Sequence, residues 1–171
     1  PGLILGSEAG KRRSRRAGGG LARDVRRLAD RVVTFSQFLA RNEKGALPGL
    51  LSNAGPGKKV TYHDSCHHKH VLKASEDSRT LLRMAPGTEL VEMTGPASCC
   101  GFGGAFSVDH PEVAGSILED KLAAVAASGA DVVALDCPGC LLQIRGGCAR
   151  SGGTARIRHT AEILAEAMRE D

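Results

Sequence analysis

The sequence predicts an α/β fold: a mostly parallel sheet of about four strands flanked by helices, preceded by a long helix. Three observations carry this. Short apolar runs rich in β-branched residues alternate with segments of helical period along residues 58–171. Pro, Gly or a short polar residue marks most of the changes. The chain has 171 residues, 42% of them hydrophobic, enough for one core with some additional chain.

Residues 1–20 read as an irregular basic tail, and residues 21–57 as a helix and linker. Leu21, Val25, Leu28, Val32, Phe35 and Leu39 step by four and three, which predicts one long amphipathic helix ending near "NEKG". Such a stripe is too short for a coiled coil and is expected to face a core. The linker "ALPGLLSNAGPGKK" follows. Then "KVTYHD" reads as a strand, and Ser75 is expected to cap a helix that has Glu76 and Asp77 in its first turn and stops at Pro86-Gly87. "TELVEM" is the second strand. Pro111 opens "PEVAGSILEDKLAAVAAS", whose Val113, Ile117, Leu118, Leu122 and Val125 share a face, and Gly129 closes it. "DVVALD" is the third strand, a helix starts at Pro138, "ARIRH" is a weaker fourth strand, and Thr160 begins the last helix.

Parallel strands place their carboxyl ends on one edge, where sites of such sheets form. Cys66 follows the first strand, Cys99 and Cys100 the second, Cys137 the third, and His159 ends the fourth. The thiols are therefore expected to converge.

Composition narrows the function. The net charge of +4 owes five basic residues to "KRRSRR" at 11–16, and without that hexamer the balance is negative. Aromatic residues are 3% of the chain, too few for stacking on bases, so a nucleic-acid partner is not expected. No run reaches the ~18 apolar residues of a membrane span. The opening residues lack a signal-peptide core, so the chain is expected to be cytoplasmic. It also starts without Met, which points to a processed chain or a fragment. Six cysteines in a reducing compartment point to metal binding or redox chemistry rather than disulfides.

Their pattern is C-x32-CCG-x35-CxxC, from Cys66 through Cys99 and Cys100 to Cys137 and Cys140. Zinc in structural sites takes four tetrahedral ligands, usually from paired knuckles, whereas here one knuckle accompanies a vicinal pair. Iron–sulfur clusters present several irons, so vicinal thiolates serve neighbouring metals. A thiol–disulfide site is the third reading the spacing leaves open. In "ASCCGFGG", Gly101, Gly103 and Gly104 let the backbone come close to a bulky inorganic ligand and aim N–H groups at sulfur. In "YHDSCHHKH", His63, His67, His68 and His70 surround Cys66; histidines beside a thiolate ligand hydrogen-bond to it or face water. His68 and His70 are expected at the surface, and His159 as either a contact of the site or a helix cap. Cys148 lies too far along the helix from Cys140 to reach the same metal and is expected to pack in the interior.

The pattern resembles the cysteine-rich CCG domain of iron–sulfur proteins, found in the B subunit of heterodisulfide reductase and in lactate- and glycolate-oxidising subunits. The resemblance covers residues 58–171. It implies that Cys66, Cys99, Cys100, Cys137 and Cys140 hold a 4Fe–4S cluster, noncubane in the heterodisulfide reductase branch, with zinc as the alternative. It also implies that His63, Asp64 and His67 are the matched "HD-x-CH" positions. "ELVEMTGPASCCGFGGAFSVDHPE" and "VVTFSQFLA" look like the C-terminal half of the lactate-utilization protein A type, which carries two CCG-like halves. Residues 1–20 do not match the end of a first half, which suggests a truncated or shifted reading frame. In lactate-type members the first cysteine of the final CxxC is often another residue, so Cys137 pulls toward the heterodisulfide reductase side. The implied role is an electron-transfer subunit of an oxidoreductase complex, relaying electrons from a 2-hydroxy acid such as L-lactate or glycolate. Its partners would be flavin or iron–sulfur subunits. Disulfide reduction at the cluster and a zinc-stabilised binding module are the alternatives.

Overall fold

The structure, a computed structural model, describes residues 19–42, 46–96 and 98–168. Nearly all of the expected basic tail lies outside them. Helices α1 (Gly19–Ala29), α2 (Phe35–Asn42) and α3 (Leu47–Leu50) lead into strand β1 (Lys58–Tyr62). A π-helical turn (His67–Leu72), α4 (Ser75–Met84) and β2 (Thr88–Leu90) come next. Then follow α5 (Phe106–Asp109), α6 (Pro111–Ser128), β3 (Val132–Leu135), α7 (Pro138–Arg150), β4 (Arg156–His159) and α8 (Thr160–Ala167).

The four strands pair in the order β2-β1-β3-β4, all parallel, as the alternation predicts. Val60 of β1 pairs with Leu90 on one side and Val132 on the other. The chain direction of strand order reverses between β1 and β3, and crevices for ligands open at the carboxyl ends beside such a reversal. His63 extends that edge, its N–H donating to Ala134 O at 2.9 Å.

Alternation along β3 feeds two cores, because successive side chains point to opposite faces. Val132 and Ala134 join Val60, Tyr62, Leu81, Leu82 and Ile163 under α2, α4 and α8. Val133 and Leu135 join Leu118, Val125, Ile144 and Ile157 under α6 and α7. Burying each large aliphatic side chain fully contributes about 1.5–3 kcal/mol.

Three expectations need correction. The long helix is two, α1 and α2, broken at 30–34. Thr34 caps α2: Gln37 N–H donates to Thr34 Oγ1 at 3.1 Å and Thr34 N–H to Gln37 Oε1 at 3.0 Å. This reciprocal Thr-x-x-Gln box stabilises a new helix start more than it stabilises continuation. The apolar stripe meets the core only in part: Leu21, Leu28 and Phe35 are exposed, Val25, Val32 and Leu39 are half-buried, with Leu39 against the core, and Ala22, Ala29 and Ala40 are buried. Ser75 is the first helical residue of α4 rather than its cap, and Ala74 at the cap position offers no side-chain bond. In β2, Thr88–Leu90 alone form the strand, and "VEM" begins the return toward the cysteines.

Candidate metal centre

Pro138 starts α7 with a ring that needs no N–H partner, which leaves Cys137 at the N-cap and Cys140 in the first turn. The short loop after β2 carries Cys99 and Cys100 to the same end. Cys100 Sγ lies 3.1 Å from Cys140 Sγ, and both are buried. A ring nitrogen of His63 joins them, with all three ligand atoms within 4.8 Å of one another. Cys137, half-buried, caps the same helix three residues before Cys140.

The electrostatics of this group follow from sharing protons. Cys140 stands between two sulfurs, so its thiol is pushed up and keeps its proton, first because of Cys100 and then Cys137. Cys100 is held well below the ordinary thiol range, first by its close contact with Cys140, against burial and with help from His63. Cys137 is lowered likewise by Cys140 and by the backbone N–H groups of Cys140 and Gly139 at the free end of α7. The site is thus prepared to present thiolates.

The other predicted ligands stand apart from this buried group. Cys99 is exposed and accepts the Gly101 N–H at 3.3 Å, and Cys66 is exposed at the start of the π-helical turn. The glycines have a structural reason besides ligand approach. Gly101 takes φ +81°, and a Cβ there would meet Ala114 O of α6 at 2.3 Å. Gly103 and Gly104 also take positive φ and are exposed. Gly139 inside the CxxC was not singled out from sequence; a Cβ there would sit 2.4 Å from the Phe102 ring, so the CCG loop and the start of α7 pack directly.

His63 is 1% exposed and neither ring nitrogen has a hydrogen-bond partner. A buried imidazole with two unsatisfied nitrogens beside thiolates is unfavourable unless something fills the space between them. Three thiols, one histidine and two more thiols on adjoining loops suit a soft, thiophilic metal. The residues present therefore fit an iron–sulfur or zinc group. His67 is half-buried, its Nε2 unpartnered, and lines a cavity of about 280 Å³ with Phe35, Leu72, His68, Cys137 and His159. Clefts of 720 and 740 Å³ open at the opposite edge, where Lys58 and Asp131 lie, and none of the five predicted ligands lines them.

His68 corrects the expectation of a surface position. It is buried, with Nε2 3.3 Å from Ser78 Oγ and 3.8 Å from Asp136 Oδ2, and burial lowers its basicity. His70 is exposed as expected. His159 caps α8, accepting the Ala161 N–H at Nδ1 (3.1 Å) while its own N–H donates to Glu162 Oε2 (2.7 Å). Cys148 is buried beside Ala155 O, 3.4 Å away, because α7 runs unbroken through Gly146 and Gly147.

Two buried polar systems brace the site and were not foreseen. Asp136, directly before Cys137, accepts Ser36 Oγ–H (2.6 Å), Tyr62 O–H (2.7 Å) and Ser78 Oγ–H (2.7 Å). Arg79 forks onto Asp64 (3.1 and 2.8 Å) and Glu92 (2.7 and 2.9 Å) and lies 5.0 Å from the centre of the Tyr62 ring. Burial alone would raise the Asp64 carboxyl, but Arg79 outweighs it and holds Asp64 below the usual carboxylate range. A further unforeseen residue is Lys121, fully buried in α6. Its signal was in the sequence: Ala114, Leu118, Lys121 and Val125 fall on one helical stripe, with lysine in a core position.

The chain matches the model of the family described as "Cysteine-rich domain" (CCG) over residues 60–145, half its length. It is 38% identical over 138 residues to "Lactate utilization protein A" of Shouchella clausii, covering 80% of this chain and 56% of that protein. It is 41% identical over 144 residues to the protein of that name in Bacillus velezensis, covering 84% and 58%. Similarity also extends to the "Probable glycolate oxidase iron-sulfur subunit" of Bacillus subtilis, 41% identical over 110 residues, 63% of this chain and 25% of that one. The chain spans about half the length of the lactate utilization relatives it matches. With the vicinal thiols, the CxxC and the glycines all falling inside the matched span, the chain belongs to the CCG cysteine-rich domain family.

Proposed function

We propose that this chain is an iron–sulfur electron-transfer module of an oxidoreductase complex that oxidises a 2-hydroxy acid such as L-lactate or glycolate. The observation that carries the reading is the convergence of Cys100 and Cys140 with the unsatisfied His63 at the start of the helix that Cys137 caps. The names of the relatives supply the class of partner and substrate.

The proposed ligands are Cys66, Cys99, Cys100, Cys137 and Cys140, around a 4Fe–4S cluster of cubane or noncubane form. Bound there, the cluster would store and pass single electrons. The chain's own part is to hold thiolates. The first turn of α7 stabilises the negative charge of Cys137, Cys140 holds a proton that would leave on metal binding, and Gly101 brings the loop against α6. His63 and His67 border the thiols and bound the space around a ligand. The other oxidoreductase subunits, flavin or iron–sulfur proteins, would deliver and accept the electrons in the cytosol. Among the described residues no helix is long and apolar enough to cross a membrane.

A second reading has an observation of its own. The ligand atoms of His63, Cys100 and Cys140 lie within 4.8 Å of one another, and Cys137, three residues before Cys140 at the cap of α7, would complete the three-cysteine, one-histidine set that structural zinc uses. Anaerobic purification decides between them. The iron–sulfur reading expects a brown protein whose visible absorption bleaches with dithionite and returns on oxidation, with no lactate turnover by the chain alone. A colourless protein with stoichiometric zinc would replace it.

A further inference from the structure

Among the described residues, two cations are buried close to the thiol site, Arg79 and Lys121. Arg79 is neutralised by Asp64 and Glu92. Lys121 has no such partner. Its ammonium donates to Gly95 O (3.1 Å) and Pro96 O (3.3 Å), lies 3.9 Å from Met93 Sδ, and makes no ion pair with a described carboxylate. Burying an ammonium without a counter-charge is unfavourable, and a helix as apolar as α6 would carry leucine there more stably.

Burial works against the charged form of Lys121, and the Cys100 and Cys99 sulfurs, ahead of the Asp64 carboxylate, work for it. Asp64 is already paired with Arg79. What remains is the thiol site: Cys100 shares a buried cluster with Met93, which Lys121 touches, and with Leu118, one turn before Lys121 on α6. The carbonyls that Lys121 binds belong to the segment leading into the vicinal cysteines, so one buried cation ties down the loop that carries them.

We propose that Lys121 is the built-in counter-charge of the thiol site: a fixed buried cation that favours the more negative, reduced state of the bound cluster and so raises its midpoint potential. The proposal rests on the iron–sulfur reading above. Reduction adds one electron, from an external reductant, to a cluster already anionic with its thiolates, and a positive charge at short range in a low dielectric stabilises the product more than the reactant.

The test is a reductive titration, followed by electron paramagnetic resonance, of the anaerobically reconstituted chain and three variants whose iron and sulfide are measured first. Lys121→Met and Lys121→Gln remove the charge, and glutamine keeps a donor for the loop carbonyls. Lys121→Arg keeps the charge. The neutral variants should load the cluster and lose at least about tenfold in the equilibrium constant for one-electron reduction, about 59 mV, while the arginine variant stays within about threefold of the parent. Loading by the arginine variant when neither neutral variant loads would also support the charge. An unchanged potential in a loaded neutral variant would overturn the proposal. So would an arginine variant shifted as far as the neutral ones, or failure of all three to load, since packing alone would then explain Lys121. A parent chain that forms no iron–sulfur cluster would sink the functional reading and this inference with it, whereas a loaded parent with an unshifted neutral variant sinks this inference alone.

Discussion

Cys137 and Cys140 ride on the start of a 13-residue helix, one at its cap and one in its first turn, whereas Cys66 and Cys99 sit in connections and are exposed. The helical pair, with Cys100 pressed against it, has its geometry set by secondary structure and by the core of Leu118, Ile144 and Leu135. No comparable packing holds the two exposed thiols. The difference teaches that folding alone sets Cys100, Cys137 and Cys140 in place, whereas Cys66 and Cys99, on the proposed reading, would be fixed by the group they bind.

The widest test of that contrast is substitution in each half. Cys140→Ala should abolish iron retention, because it removes the sulfur shared by Cys100 and Cys137. Cys66→Ala should retain a reduced iron content with an altered spectrum. Equal and complete loss from both, measured as iron per chain after anaerobic desalting, would break the comparison.

The support beneath the helical half can be broken next. Arg79→Met leaves Asp64 buried and unpaired, and should cost about 3 kcal/mol in urea unfolding. The same pair fixes an acid response. Asp64's folded value lies below its unfolded one, about 3.9, so its contribution is present above that value and is lost as pH falls through the folded value. The parent should therefore lose stability on acidification below about pH 4, and Arg79→Met should have lost that increment already at neutral pH. A Met variant with the parent's full acid slope would contradict the pairing.

A smaller effect probes the helix break. Thr34→Ala should cost about 1 kcal/mol, because Gln37 N–H loses its acceptor. The smallest concerns Cys148, which touches Ala155 O in the interior: Cys148→Ala should keep iron, sulfide and spectrum unchanged. Loss of the cluster from a folded Cys148→Ala protein would mean the ligand set is wrong.

Strand–helix alternation made the parallel sheet and the convergence of Cys100, Cys137 and Cys140 legible in the sequence, because strand direction and loop length fix where a strand's next residue goes. The break before Phe35 was written there too, as Thr34 and Gln37, but the apolar stripe running through it imposed a single period. Lys121 and His68 were misjudged or missed for one shared reason: polar side chains are expected outside, and what buries these two comes from distant segments, Gly95 and Pro96 in one case, Ser78 and Asp136 in the other. Ser36 and Asp136 likewise meet across 100 positions of chain, a pairing no local pattern encodes.

The central claim, that the edge of this sheet holds an iron–sulfur cluster, is tested most directly by counting iron and acid-labile sulfide per chain after anaerobic reconstitution and removal of unbound metal. The account predicts several of each, in near-equal amounts, lost together in Cys140→Ala. Stoichiometric zinc with no sulfide, after reconstitution with iron and sulfide in excess, would contradict it.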